Sequence, residues 1–450
     1  MSSYCPLSDV VSDKHTPWNN IYQSAENVKM SMAPVIKNTS IRNELASDRM
    51  DSVTTVHLPQ NVLLSNSILV LTIAKEDLKQ YLFMEKGWGY LALDKIVVQV
   101  AGSGQTLESR GASILVKNLS DSESQGKLDR VVELAGESFK GTADATKDYT
   151  AYINLANIPW SSCSSKRFLP YDSSILRSPA SVRIELSPPR KFIKQSIGNT
   201  TQVPLPTRYK SAFVFSNTQI LREPSPLPLL YGAGTNARYV YNYIYSQYEQ
   251  QQGIRGKSDD NDHQTVQLRG FRSANLQSVD VWLTRETFDA DTPMNNSRSC
   301  SLLSYAPRNL RLMYGGQELY RSELDTAQLS NLFDNEINLS WSTDNPAWAV
   351  GDNEALVSTP KASSYVHIPI AQFNETVFCD LVQQGVNFVS QDVTLEFNSP
   401  PPAELSPTDP GANEPKYTIN FNYNYLAGVS TRNGETTLDF RPPKVMTIEQ

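Results

Sequence analysis

The chain has 450 residues, a hydrophobic fraction of 39% and a formal net charge of −7. That length holds about two or three domains, and a half-length domain buries roughly 70% of its unfolded surface without metal or disulfide staples. The first fifty residues balance five Lys or Arg against five Asp or Glu, so no basic arm speaks for a protein that grips nucleic acid by its phosphates.

Four widely spaced cysteines, Cys5, Cys163, Cys300 and Cys379, form no CxxC pair and read as reduced thiols. The start MSSYCPLSDVVSDKHTPW lacks the basic and apolar regions of a signal peptide. No run approaches the ~18 apolar residues that span a bilayer. Six Asn-x-Ser/Thr sequons, from Asn38 to Asn374, are expected in a chain this rich in those residues.

Residues 1–40 show no sustained period and read as an N-terminal arm with Trp18, Tyr22, Met30 and Met32 as apolar anchors. Ser52–Pro59 and the apolar run Ser67–Ala74 predict strands. Lys75–Gly87 interleaves charged residues with Leu78, Tyr81, Leu82 and Met84 and reads as more helical. Gly87–Gly111 reads as strand, glycine turn and strand, with Gly102 and Gly104 supplying the turn. Ser113–Gly141 is polar with room for a helix, and Tyr149–Trp160, Ser181–Pro189 and Tyr209–Arg222 predict three further strands.

A Pro-rich linker at 223–236, beginning EPSPLPLLYGAG, separates this half (41–222) from a second (237–440). The second half opens on the aromatic run Arg238–Tyr248 and continues with strand-like runs to Tyr417–Leu426. One segment, Ser322–Phe333, has a helical face of Leu324, Leu329 and Leu332. Residues 441–450 form a tail kept extended by Pro442 and Pro443.

The halves echo each other. TTVHLP returns as QTVQLR, with Val56 and Val266 210 positions apart, and GQTL returns as GQEL, with Gly104 and Gly316 212 apart. SVRIELSPP returns as DVTLEFNSPP (Val182 and Val393, 211 apart), and SAFVFSN returns as INFNYNY (Phe213 and Phe421, 208 apart). A period this long is far above that of solenoids and propellers, and means a duplicated domain. Seven or eight strands per half with long loops give an all-β chain of two tandem eight-stranded jelly-roll β-sandwiches with long loop insertions and few short helices.

Chemical signatures are scarce, and no catalytic, cofactor-binding or metal-ligating residue is assigned. His15, His57, His263 and His367 include no pair at metal-ligand spacing. His57 aligns with Gln267 and His367 with Asn154, which a site shared by both halves would not allow. SDDND (Ser258–Asp262) lacks the offsets of a calcium loop, and neither Gly102–Gly104 nor Gly232–Gly234 is a phosphate loop. The tyrosines at 239, 241, 243, 245 and 248 suit core or interface packing, and also the aromatic platforms of carbohydrate-binding sandwiches. The polar insertions 118–148, 285–306 and 343–362 read as loops free to grow at one end of each sandwich.

The segment GWGYLALDKIVVQVAGSGQTLES (Gly87–Ser109), echoed by Gly315, Gly316, Gln317 and Leu319, resembles the double jelly-roll major capsid proteins of icosahedral double-stranded DNA viruses. That hexon-like lineage includes nucleocytoplasmic large DNA viruses, virophages, Polinton-like elements and adenovirus. Ser103 departs from its paired glycines, and Trp88 has no place in its pattern. The resemblance implies a virion structural protein, not an enzyme, without cofactors. It implies that three copies form a pseudo-hexagonal homotrimer and that trimers tile an icosahedral shell through trimer–trimer contacts. Penton and minor capsid or cement proteins are its implied partners, an internal membrane beneath the shell is compatible with it, and sequence-specific nucleic-acid binding is not implied. The alternatives are a two-domain jelly-roll enzyme acting on glycans and a tandem carbohydrate-binding protein.

Overall fold

A computed structural model describes residues 35–59, 62–84, 86–99, 106–120, 131, 133–139, 141–155, 158, 171–172, 179–195, 203–221, 238–255, 263–268, 276–285, 308–314, 316–321, 336–339, 363–369, 393–398, 416–432 and 435–439.

The first half runs β1 (Val35–Glu44), β2 (Val53–His57), β3 (Leu63–Ile73), β4 (Leu82–Met84), α1 (Trp88–Ala92), β5 (Leu93–Gln99), β6 (Thr106–Arg110) and α2 (Gly111–Ser120). It continues with β7 (Tyr149–Asn154), β8 (Tyr171–Asp172), β9 (Ser181–Leu186), β10 (Ile193–Gln195) and β11 (Ser211–Leu221). The second half runs β12 (Arg238–Arg255), β13 (His263–Leu268), β14 (Leu276–Arg285), β15 (Arg308–Tyr314) and β16 (Gln317–Arg321). It ends with β17 (Glu336–Leu339), β18 (Ser363–Pro369), β19 (Val393–Asn398), β20 (Lys416–Arg432) and β21 (Glu435–Asp439).

The first half makes one sheet in the order β1-β11-β3-β7 and another in the order β2-β9-β5-β6. The second half repeats both orders, as β12-β20-β14-β18 in a sheet extended by β17 and β21, and as β13-β19-β15-β16. In the first half β1 pairs with β11 and β2 with β9, and in the second half β12 pairs with β20 and β13 with β19, all antiparallel. That is the jelly-roll wrapping, twice over. The alternation in SVRIEL explains how a sheet faces its core: Val182, Ile184 and Leu186 are buried while Arg183 is exposed. Leu69, Leu71, Ala212 and Val214 join the same core from the opposing sheet.

All four echoes fall on equivalent positions of the wrapping. Val56 and Val266 lie on β2 and β13, Val182 and Val393 on β9 and β19, and Phe213 and Phe421 on β11 and β20. GQEL enters the hairpin between β15 and β16, as GQTL leads into β6. Two alignments slip in detail. Val56 stands opposite Val182, but Val266 stands opposite Leu395, two residues on, so the slip keeps the same face. Phe213 turns out of its sandwich, between inward Ala212 and Val214, with the Arg42 guanidinium 3.8 Å over its ring. Phe421 is buried, on the face that β20 shares with Ile419 and Tyr423.

Several local expectations need correction. Lys75–Gly87 holds only the 3-10 turn Lys75–Asp77 before β4. GWGY starts as a helix, not a strand: Gly87 takes φ 80° and releases α1. Trp88 is fully buried there, stacked on Phe192 at 5.7 Å. Gly136 closes over it, since a Cβ at that position would lie 2.3 Å from Trp88 Nε1. Within the stretch 118–148 the described residues 133–139 and 141–148 are tied to the sandwich: Phe139 and Met84 pair through both backbone bonds, and Gly141 O accepts from Tyr81 N. β1 begins at Val35, inside the expected arm. The sequon residue Asn118 is buried, its amide donating to Tyr90 OH and Asn154 O. The linker 223–236, the helix at Ser322–Phe333, the glycine turn at Gly102–Gly104, the acidic loop Ser258–Asp262, the insertion 285–306 beyond Arg285, which ends β14, the insertion 343–362 and the tail 441–450 lie outside the described residues.

Candidate functional site

The chemically most distinctive region is the seam between the two sandwiches. β6 is the edge of its sheet and β12 the edge of its own, so both present unpaired backbone. The two edges meet. Tyr245 OH donates to Glu108 O at 2.9 Å and accepts from Glu108 N at 3.3 Å. Arg110, two residues along β6, places its guanidinium 5.7 Å from the Tyr248 ring centre. Beside these contacts runs an open cleft of about 450 Å³, lined by Thr106, Glu108 and Arg110 from β6 and Tyr248, Glu249 and Gln250 from β12.

Alternation in β20 places Ile419, Phe421, Tyr423 and Tyr425 on one face and Asn420, Asn422 and Asn424 on the other. All seven side chains are buried. The asparagine face is turned towards the first half: Asn422 Nδ2 donates to Ser113 O, in α2, at 3.0 Å. A polar row runs across the same sheet. Ser246 Oγ donates to Asn424 Oδ1 at 2.5 Å, and Asn424 Nδ2 donates to Ser278 Oγ and Asp280 Oδ2, each at 2.9 Å. Asp280 Oδ1 lies 2.6 Å from His367 Nδ1. Tyr248 OH donates to Asn420 Oδ1 at 2.7 Å. Such a row satisfies polar groups that burial would otherwise penalise.

Burial pushes the Tyr245 hydroxyl up to about 12 and the Tyr248 hydroxyl up to about 12, and raises Tyr425 as well. Their protons are held for hydrogen bonding, not released for chemistry.

The histidines have structural surroundings. His57 is exposed, and His263 is exposed with Nε2 3.4 Å from Glu396 Oε2. His367 is the one that sequence reasoning underrated, because its partner Asp280 lies 87 residues away on β14. Register places Asp280 directly opposite His367, while Ser278 Oγ meets Asn424, on the other side of the carboxylate. This arrangement is not a relay in which histidine bridges a serine and an aspartate. His15 lies outside the described residues. In the tyrosine run, residues 245 and 248 fall on opposite faces of β12, and both are engaged at the seam.

No known family model matches the chain, and no curated protein does. Solved structures do. The capsid of the virus PBCV-1, in a quasi-atomic model, superposes with a TM-score of 0.57 at 9% identity, over 90% of this chain and 96% of that one. A chain of the Sputnik virophage structure gives 0.56 at 9% identity, over 92% and 91%. The mavirus major capsid protein gives 0.50 at 12% identity, over 92% and 93%. The chain thus has the double jelly-roll fold found in these capsids along nearly its whole length.

Proposed function

We propose that this chain is the major capsid protein of an icosahedral double-stranded DNA virus, resident in the virion, which self-associates into threefold capsomers. The observation that carries this reading is the pair of sandwiches that share a four-strand order in each sheet, which superposes over 90–92% of this chain on chains from solved viral structures. Three copies of a duplicated sandwich give six sandwiches around a threefold axis, hence a block with a near-hexagonal outline that tiles a shell. Penton, minor capsid and cement proteins are then its partners, with a membrane beneath the shell compatible with the fold. A role in building fits a molecule whose buried polar groups tie two sandwiches together.

The glycan-binding alternative needs an exposed aromatic platform. Tyr245 is spent on Glu108, and Tyr248 lies under Arg110 and against Trp282, with ring centres 6.1 Å apart.

Size-exclusion chromatography with light scattering tests the proposal. The expected mass is three times the 50.2 kDa chain, with sheets or shells at high concentration. A monomer at every concentration overturns it.

A further inference from the structure

We infer that Tyr81, carried on the turn Lys79–Leu82, is the stacking platform of a surface site for a neutral pyranose sugar. The site goes beyond the assembly reading above and lies in a part of the molecule to which that reading gives no role.

Leu82 N donates to Lys79 O at 3.2 Å, which closes a tight turn with Tyr81 in its third position at φ 72°. A positive φ at that place belongs to Gly and Asn, because a larger side chain crowds its own carbonyl. Among the described residues two that are not glycine take a positive φ, Tyr81 and Asn309, and asparagine tolerates it. A tyrosine works against the turn, yet the surroundings hold it there. Tyr81 N donates to Gly141 O at 2.8 Å, Gln80 N to Asp144 Oδ1 at 2.9 Å and Gln80 Nε2 to Thr142 O at 3.2 Å. Leu78 and Leu82, on either side, are fully buried. Backbone strain enforced by such a frame is found where a ligand is gripped.

The side chain is held towards solvent: Tyr81 is 41% exposed. That sets it apart from Tyr245 and Tyr248, whose hydroxyls are bonded within the seam.

The rim of the ring selects the partner. Lys79, Gln80, Thr142 and Asp144, joined to the turn by the bonds above or by sequence, are exposed. A protein or lipid surface calls for a contiguous apolar patch, and this rim is polar. A pyranose offers a C–H face about one ring wide, edged by hydroxyls that both donate and accept. The Tyr81 ring takes the face. The Gln80 amide, the Thr142 hydroxyl and the Asp144 carboxylate offer donors and acceptors to the edge. Lys79 Nζ lies 3.8 Å from Asp144 Oδ2, so charge on the rim is balanced and a neutral sugar fits.

Saturation-transfer difference NMR on the full-length chain tests this, with methyl β-galactoside, methyl β-glucoside, methyl α-mannoside and N-acetylglucosamine as probes. At least one probe is expected to show transfer, strongest at its ring C–H protons. Tyr81→Asn, which suits the left-handed turn, should lower that signal at least fivefold, and Tyr81→Phe should keep it. Should Tyr81→Asn lose its far-UV circular dichroism, Tyr81→Leu replaces it, with bulk but no aromatic face. The control Tyr152→Asn, at a position 48% exposed on β7, should leave the signal unchanged. No transfer from any of the probes, or an equal signal in Tyr81→Asn, overturns the inference. So does a Tyr81→Asn chain that changes its self-association in light scattering while the wild type binds no probe, which would assign the ring to a protein contact. Sugar binding is read without reference to oligomeric state, so each of these failures leaves the assembly reading standing.

Discussion

The hydroxyl of Tyr245 completes the backbone of Glu108, donating to its carbonyl oxygen at 2.9 Å and accepting from its N–H at 3.3 Å. A single side-chain oxygen thus does for the β6 edge what a neighbouring strand would do. Tyr245→Phe keeps the ring and removes both bonds. Two backbone groups at a part-buried seam then exchange their partner for water, at a cost of about 0.5–1.5 kcal/mol. The urea midpoint should fall accordingly, with circular dichroism in water unchanged. A midpoint equal to that of the wild type would mean that the two bonds carry no net stability.

Burial of the seam tyrosines gives stability a dependence on alkaline pH. Tyr245 and Tyr248 are each raised from 10.0 to about 12 by burial. A folded-state value above the unfolded one stabilises fully below pH ~10, where both states hold the proton. That contribution is lost as pH rises towards 12, because the unfolded chain ionises first. Each residue accounts for about 2–3 kcal/mol at most. Tyrosinate absorbance should therefore rise together with loss of structure, between pH 10 and 12. A single titration of all tyrosines with its midpoint near pH ~10, in a chain that stays folded, would contradict the burial of this pair.

The duplication and the jelly-roll class were legible in the sequence, because strands with one buried face write period two into the chain. INFNYNY was legible as a strand but not as a seam: its asparagines look solvent-facing, yet Asn422 meets Ser113 from the other half while Asn420 and Asn424 bond to Tyr248, Ser246, Ser278 and Asp280. The helix at Trp88 was illegible for a related reason. Its residues are apolar on all sides because Phe192, Gly136 and Ala151 surround them, and an apolar run carries no period. The pairing of Asp280 with His367 depends on the register of two strands distant in sequence, which spacing does not encode. The sequence match of Phe213 with Phe421 found the right strands and the wrong faces, since one residue of slip inverts a strand.

The Asp280 carboxylate is 0% exposed, with His367 Nδ1 at 2.6 Å and Asn424 Nδ2 at 2.9 Å. His367→Ala leaves the buried Asp280 carboxyl short of one hydrogen-bond partner and should cost about 1–3 kcal/mol. Replacing both partners by the outward pair of the first half, Val70 and Tyr152, should cost less, because no orphaned charge remains. Denaturant unfolding of Asp280→Val/His367→Tyr beside His367→Ala decides this. A double variant less stable than the single one would show that the pair is worth more than its desolvation.

Two glycines should separate packing from turn chemistry. Gly316 turns the β15–β16 hairpin at φ 82°, with nothing within 4 Å of where a Cβ would stand. Gly316→Ala therefore meets only left-handed backbone strain, about 1–2 kcal/mol. Gly111 joins β6 to α2, and a Cβ there would lie 1.8 Å from Tyr90 O and 2.4 Å from Leu93 O. Both obstacles are backbone atoms, which cannot rotate away as a side-chain tip can. Gly111→Ala must shift α2 and, with it, the Ser113 carbonyl that receives Asn422. Its cost should exceed that of Gly316→Ala by about 1.5 kcal/mol, since overpacking a filled core costs about 1–3 kcal/mol and the seam bond is lost in addition. Thermal unfolding of the two variants side by side measures the difference, and equal midpoints would show that α2 is not fixed against α1 by this close approach.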